Sequence, residues 1–502
     1  MKELSFHILF LVVLKLHLMP FNIAAQEIDN LPGFVSMYVD SLSRNVSYKE
    51  IPDYIDKPCP KYITTNQTRE DIEIFKYLIK IAYSGKAYWE KQGVDFSKCF
   101  RELKYLVKNS ESDSISVKQI EDIMYNHLKF INDGHSRIIG FKNRELKKRI
   151  MAYFTDLVIE KRNNKYFVLQ SKLSDIMVGD EYIDSIKYLY KTLSKKDTEQ
   201  YLIGLLEYDN PKFLKIRFKS GIYDLPLHQC RIGEVIKTPN TPAFQVDSIK
   251  NIPILKIWKF SGKKHIEQIE EFVEYGKKLR NKDLFILNLI GNTGGYSEWG
   301  NKFIINLNDV VIDKSYVLWL HSPAICQSMG PLKNYWMLKD MPDSWYTKDG
   351  FVTDSCPQDT KVFFDKMNSE HIIQKENPLR YWEIENRNTK QYIEGAYKGK
   401  VIILSNHYNA SAGETTLARI KSSVPNSIVI GENSCGAFVF SSKNSYCLKN
   451  SLIKLQLTKS LEIHPDCHGD KGFFPDFWLD SKEPVKEVLN WINNPETYQF
   501  IY

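Results

Sequence analysis

Apolar residues recur at helical spacing twice in the first third of the chain. Ile72, Phe75, Leu78, Ile79 and Ala82 form one stripe, and Val117, Ile120, Met124, His127 and Leu128 form another. The pattern predicts helices from 68 to about 131, closed by the turn Asn132-Asp133-Gly134-His135. Between 150 and 240 the pattern changes to short apolar runs, such as 166–169 and 214–218, which read as small strands. Pro239-Asn240-Thr241-Pro242 marks a boundary. Beyond it strands and helices alternate. A strand at 254–258 precedes a helix face made by Ile266, Ile269, Phe272, Val273 and Leu279, and a largely apolar strand follows at 284–290. The alternation resumes with a strand at 401–404, a helix from Ser411 to about Lys421, and a strand at 427–430. That order predicts an α/β layer with at least partly parallel strands. Residues 321–395, rich in Trp, Pro and charge, read as an insertion or lid, with Trp319, Trp336 and Trp345 as core or lid residues.

Composition narrows the class. With 43% hydrophobic and 26% charged residues, the chain reads as an ordinary globular protein with sequence enough for several domains. The surplus of 68 Lys and Arg over 61 Asp and Glu gives +7, spread without a basic block, which argues against nucleic acid and membrane surfaces as partners. Residues 1–25 read as a signal peptide: Lys2 starts it, 8–14 is uninterruptedly apolar, and Ile23-Ala24-Ala25 offers a cleavage site before Gln26. Lys15 and His17 interrupt that pattern. No later stretch approaches the roughly 18 apolar residues of a membrane span. The expectation is an exported protein, periplasmic or extracellular. Eight cysteines would then permit disulfides, with Cys435 and Cys447 across a hairpin as the favoured pair and buried thiols as the other reading. The absence of a CxxC pair gives zinc ribbons and dithiol redox chemistry no support.

Three segments carry candidate chemistry. Asn409-Ala410-Ser411-Ala412-Gly413-Glu414 puts a serine between an apolar strand and a helix, among small residues. A nucleophile benefits from that place, because the amides at a helix N-terminus favour a developing anion. The same letters, Ser411 with Glu414 three residues on, also form a capping box. Leu289-Ile290-Gly291-Asn292-Thr293-Gly294-Gly295 ends a strand in a turn that could expose amides as an oxyanion hole. It fits neither a P-loop nor GxGxxG, so no nucleotide cofactor is expected. Asp133-Gly134-His135-Ser136 offers a histidine in a turn, where a structural role is the commoner one.

Taken in order, these segments resemble peptidase family S41, the tail-specific or C-terminal-processing proteases. Asp133-Gly134-His135, Gly179-Asp180-Glu181, Gly291-Asn292-Thr293-Gly294-Gly295, Ser411-Ala412-Gly413-Glu414, Gly431-Glu432 and Gly472-Phe473-Phe474-Pro475-Asp476 follow the family's succession over roughly residues 70–480. The resemblance implies an α/β protein with a crotonase/ClpP-like catalytic core over 243–488, interrupted by the insertion 321–395. A helical domain at 66–148 and a PDZ-like β domain at 150–238, whose turn at Gly179-Asp180-Glu181 also reads as an ordinary β-hairpin, would precede the core, after an arm at 26–65; a tail at 489–502 would follow it. It implies a serine endopeptidase acting on unfolded or C-terminally recognised polypeptides, without metal or cofactor. Ala437 stands where the Ser–Lys branch carries its lysine, and Lys443 lies six residues further on. The chain is therefore closer to the tricorn-like Ser–His branch, in which Ser411 is the nucleophile and His135 the base. An imidazole of pKa about 6.5 suits proton abstraction at neutral pH better than an unperturbed lysine. The assisting carboxylate falls at Asp470, one residue out of register, with Glu462 as the alternative, and the oxyanion hole at the amides of Ala412 and Gly294. Asn288 and Ile290 replace the Asp and Arg that members often carry. The rival reading is a catalytically inactive peptide- or ligand-binding protein on the same scaffold.

Overall fold

A computed structural model describes residues 31–494 except 54–56, 147–148, 196–197, 233–240, 262–264, 330–352, 354, 357 and 388–394. The expected signal peptide, Trp336, Trp345 and most of the tail lie outside the described residues. The chain divides into two compact units, each assembled from separated stretches.

The first unit takes residues up to Lys148, Tyr316–Asn386 and Phe440–Ile463. Its helices Thr65–Ile81, Ser97–Lys108 and Val117–Leu128 follow from the apolar stripes, which bury Phe75, Leu78, Leu103, Ile120 and Met124. Each such side chain contributes about 1.5–3 kcal/mol on burial. The first helix starts on a full capping box: Thr64 Oγ1 accepts from the Gln67 amide at 3.2 Å, and Gln67 Oε1 accepts from the Thr64 amide at 2.8 Å. A seven-stranded sheet completes the unit, and all of its strands belong to it. Within the sheet, Lys454–Ile463 pairs antiparallel with Tyr316–His321, with Phe440–Cys447 and with Arg137–Ile139.

The stretch expected as an insertion, 321–395, overlaps Tyr316–Asn386, which interrupts the second unit along the chain and belongs to the first. Tyr316–His321 pairs with Leu379–Asn386, and both are strands of the first unit's sheet. Both strands carry apolar residues into that sheet: Val317, Leu318 and Leu320 are buried, as are Tyr381 and Trp382.

The second unit holds residues Arg149–Ser315, Arg387–Val439 and His464–Tyr502. Its 14-stranded sheet has two characters. The part from Met151–Arg162 to His228–Gln229 is antiparallel, with Met151–Arg162 pairing with both Lys165–Ser171 and Glu199–Glu207. In the other part Ile252–Ile257, Leu284–Asn288, Lys400–Ser405, Ser427–Gly431 and Phe477–Trp478 run parallel side by side, and Phe244–Ile249 pairs antiparallel with Ile252–Ile257 at the edge. One parallel register pair, Trp478 with Thr192, joins the two parts. Every residue of Leu284–Asn288 and of Lys400–Ser405 is buried, as a strand covered on both faces requires. Helices Ile266–Leu279 and Glu298–Asn308 pack through Phe272 and Phe303, whose rings stack 4.3 Å apart. Sequence and structure agree on a mixed α/β fold.

The expected Cys435–Cys447 disulfide is absent. Both residues are buried thiols, and they belong to different units. Cys435 packs with Ala410 and Ala437, whereas Cys447 ends the strand Phe440–Cys447.

Candidate active site

In the second unit two parallel strands deliver two loops to one place. Leu284–Asn288 leads into the glycine turn, and Lys400–Ser405 leads into Asn406–Ala410. Asparagines fasten the loops through side chains and backbone. Asn406 Oδ1 accepts from the Gly291 amide at 2.9 Å, and the Asn292 carbonyl accepts from the Ala410 amide at 2.9 Å. Asn292 also donates through Nδ2 to the Ile257 carbonyl at 2.9 Å. These buried amide groups are satisfied, so the loops are held rigidly rather than draped.

Ser411 stands between the second loop and the helix Ala412–Ser423, with φ 52° and ψ −118°. A serine at positive φ is strained by about 1–3 kcal/mol and persists only where its surroundings impose it. Those surroundings include Glu414, which is fully buried. One carboxylate oxygen accepts the Ser411 amide at 2.9 Å; the other accepts Ser434 Oγ at 2.6 Å and the Gly436 amide at 2.8 Å. Glu414 therefore does more than cap: it ties the serine's backbone to the loop after Ser427–Gly431.

Gly294 abuts the serine. A Cβ placed on it would lie 2.7 Å from the Ala410 carbonyl, 2.9 Å from Ser411 Cβ and 3.2 Å from the Ala412 nitrogen, at φ +79°. Only glycine permits that approach. The Gly294 amide, however, donates to Asn292 Oδ1 at 2.8 Å, so its expected place in the oxyanion hole is corrected: the donor is already committed. Gly294 instead supplies room. The Ala412 amide is the first of its helix and has no acceptor within the helix, so it fits the donor role.

Asp470 lies in the same unit, 7% exposed, and accepts from Tyr208 Oη. Its backbone meets Gly436, where a Cβ would collide with the Asp470 carbonyl at φ +77°. The structure thus brings Ser411, Ala412 and Gly294 together. It links Asp470 to that group through Gly436, the residue Glu414 holds.

His135 and the alternative acid Glu462 belong to the first unit. There the fully buried Asp133 organises the turn: Oδ1 accepts the amides of His135 at 3.0 Å and Ser136 at 2.6 Å, and Oδ2 accepts Tyr83 Oη at 3.1 Å. Burial raises the Asp133 carboxyl and, chiefly, lowers the His135 imidazole below its ordinary value. The Asp133 carboxylate opposes the fall in His135, and the Lys443 ammonium adds to it. His135 Nδ1 is buried without a hydrogen-bond partner among the described residues. Lys443 is itself lowered, mainly by burial and then by Arg137.

Sequence reasoning did not single out His407. It is 2% exposed, its Nδ1 lies 2.5 Å from Glu432 Oε2, and its Nε2 has no partner among the described residues. Its place four residues before the serine, just past an apolar strand, was the available signal. Among the described residues no group of His, Cys, Asp and Glu could hold a metal ion, and no helix is long and apolar enough to cross a membrane.

Residues 251–478 match the model of peptidase family S41. None of the curated proteins matches. Among solved structures, mature CPAF complexed with lactacystin is 13% identical, with 87% of this chain and 99% of that chain covered and a TM-score of 0.44. The photosystem II D1 C-terminal processing protease is also 13% identical, with 87% and 99% covered and a TM-score of 0.35. A putative peptidase from Parabacteroides merdae is 12% identical, with 85% and 93% covered and a TM-score of 0.41. Residues 251–478 are thus similar to a peptidase S41 domain, and the match supports a serine-type peptidase.

Proposed function

We propose that the protein is an exported serine endopeptidase in which Ser411 attacks the substrate carbonyl and His135 accepts its proton. The observation that carries this reading is Ser411 itself, held at positive φ at the head of a helix, beside a glycine that leaves its approach open. In acylation the Ser411 hydroxyl proton passes to the imidazole as Oγ bonds to the carbonyl carbon. The oxyanion takes a hydrogen bond from the Ala412 amide, a donor of a kind worth about 3–4 kcal/mol. The imidazolium then returns the proton to the leaving amine, and water deacylates the serine by the same relay. Asp470 is the assisting carboxylate in this reading, and Tyr208 orients it.

The lowered His135 supports its role, since a base must be neutral to accept a proton. Ala437 in place of the branch lysine supports the Ser–His assignment over Ser–Lys. The antiparallel strands after Met151, with the turn Gly179-Asp180-Glu181, form the PDZ-like element of this reading. They would receive a polypeptide's end by strand addition, and the helices before His135 form the N-terminal domain. The leader read from residues 1–25 supports export.

The test is a comparison of His135→Ala with Lys443→Ala on an unfolded protein substrate. Loss of turnover in His135→Ala with retention in Lys443→Ala is expected. The reverse result overturns the Ser–His assignment.

A further inference from the structure

Cys59 belongs to the first unit and precedes the strand Tyr62–Thr64. It lines a cavity of about 300 Å³ with Ile139, Gly140 and Lys454. Ile139 and Lys454 are register partners between the antiparallel strands Arg137–Ile139 and Lys454–Ile463. Lys454 is in turn the register partner of Cys447, at the end of Phe440–Cys447. Directly opposed residues of antiparallel strands project to the same face, with Cβ atoms about 4.5–5.5 Å apart. Ile139, Lys454 and Cys447 therefore form one row across three strands, and the row begins at the cavity that Cys59 lines.

The electrostatics place the two sulfurs in one neighbourhood. Burial pushes the Cys59 thiol up to about 11; Glu121 and Cys447 add to the rise, and Lys454 opposes it. Glu121 sits at the same spot, accepting the Phe141 amide at 2.8 Å and packing against Gly140. Cys59 is partly exposed and can meet a reagent, whereas Cys447 is 1% exposed.

We propose that Cys59 and Cys447 are the partners of a disulfide that ties the segment before Tyr62 to the hairpin of Phe440–Cys447 and Lys454–Ile463. The oxidant is a low-molecular-weight disulfide such as oxidised glutathione. The Cys59 thiolate attacks one glutathione sulfur, forming a mixed disulfide and releasing one glutathione thiolate. The Cys447 thiolate then attacks Cys59 Sγ, forming the protein S–S bond and expelling the second glutathione. Two protein thiols lose two electrons and two protons, and one glutathione disulfide becomes two thiols. Because thiolate is the attacking form, the reaction accelerates as pH rises toward the Cys59 value.

The experiment incubates the full chain with oxidised glutathione at mildly alkaline pH. The protein is then unfolded and alkylated without reduction, digested, and its peptides weighed. The expected result is a joined pair of peptides carrying Cys59 and Cys447, lighter by two hydrogens than their sum, with alkylation of both residues lost. In Cys447→Ser, Cys59 stays alkylated or carries glutathione. Wild-type protein in which both cysteines are separately alkylated, or in which either is joined to a different cysteine, overturns the proposal. The wild-type map decides by itself, so a variant that folds poorly does not obscure the answer.

Discussion

Replacing Glu414 tests whether the serine's strained geometry is imposed from beneath. The carboxylate is fully buried and accepts the Ser411 amide, the Ser434 hydroxyl and the Gly436 amide at 2.9, 2.6 and 2.8 Å. Glu414→Ala removes all three acceptor contacts and leaves a cavity. An unsatisfied buried donor costs about 1–3 kcal/mol, and three donors on one group do not add in full, so a loss of about 3–5 kcal/mol is expected. Glu414→Gln keeps the volume, but its NH2 group must face one of the donors, so about 1–3 kcal/mol is expected. Activity should suffer beyond stability, because Ser411 loses the contact that fixes its backbone. A displacement of about 1 Å at a reacting atom can cost on the order of 10²-fold in rate. The assay is thermal unfolding together with kcat and KM on a fluorogenic unfolded substrate. kcat should fall by about 10²-fold in Glu414→Gln, at a temperature where the variant is folded, with KM nearly unchanged. A Glu414→Gln variant with wild-type kcat would refute the reasoning, and Glu414 would then be a cap alone.

Other expectations follow from the same geometry. Gly294→Ala puts a methyl group 2.9 Å from Ser411 Cβ at positive φ; it should cost about 1–2 kcal/mol and most of the turnover, read by unfolding midpoint and kcat, and unchanged values of both would contradict the packing. The pH profile of kcat/KM should lose activity on its acid side below pH 6.5, because His135 is lowered and stays neutral until the pH falls through that depressed value. Lys443→Met removes a like charge and should move that limb upward, and a limb that stays put would exclude the coupling. Tyr208→Phe removes the donor to Asp470 and should lower kcat more than it raises KM. His407→Gln should leave the pH limb in place; its disappearance would make the His407–Glu432 pair the base instead.

The parallel strands were legible because burial on both faces writes itself as continuous apolar runs, as at Leu284–Asn288 and Lys400–Ser405. The helices Thr65–Ile81 and Val117–Leu128 were legible for the same local reason, an apolar stripe at helical period. The assembly of units was not. Tyr316–His321 and Lys454–Ile463 pair across more than a hundred residues, and nothing local distinguishes that partner from any other alternating strand. Ser411 stood out through its small neighbours. Glu414 read only as a cap, because its contacts to Ser434 and Gly436 come from a distant loop. Gly294 was assigned a donor's part from its motif, and the hydrogen bond to Asn292 that occupies its amide depends on a side-chain rotamer. Cys447 was paired with the nearest cysteine along the chain, while sheet register sets it opposite Lys454, which lines a cavity with Cys59.

The central claim is that Ser411 is the nucleophile. The most direct measurement compares wild-type protein with Ser411→Ala for cleavage of an unfolded protein near neutral pH, with matched unfolding midpoints as the control for folding. Cleavage by the wild type and none by the variant is the predicted result. Equal cleavage by both would place the chemistry elsewhere, and no cleavage by either across a broad set of unfolded substrates would make the scaffold a binding protein.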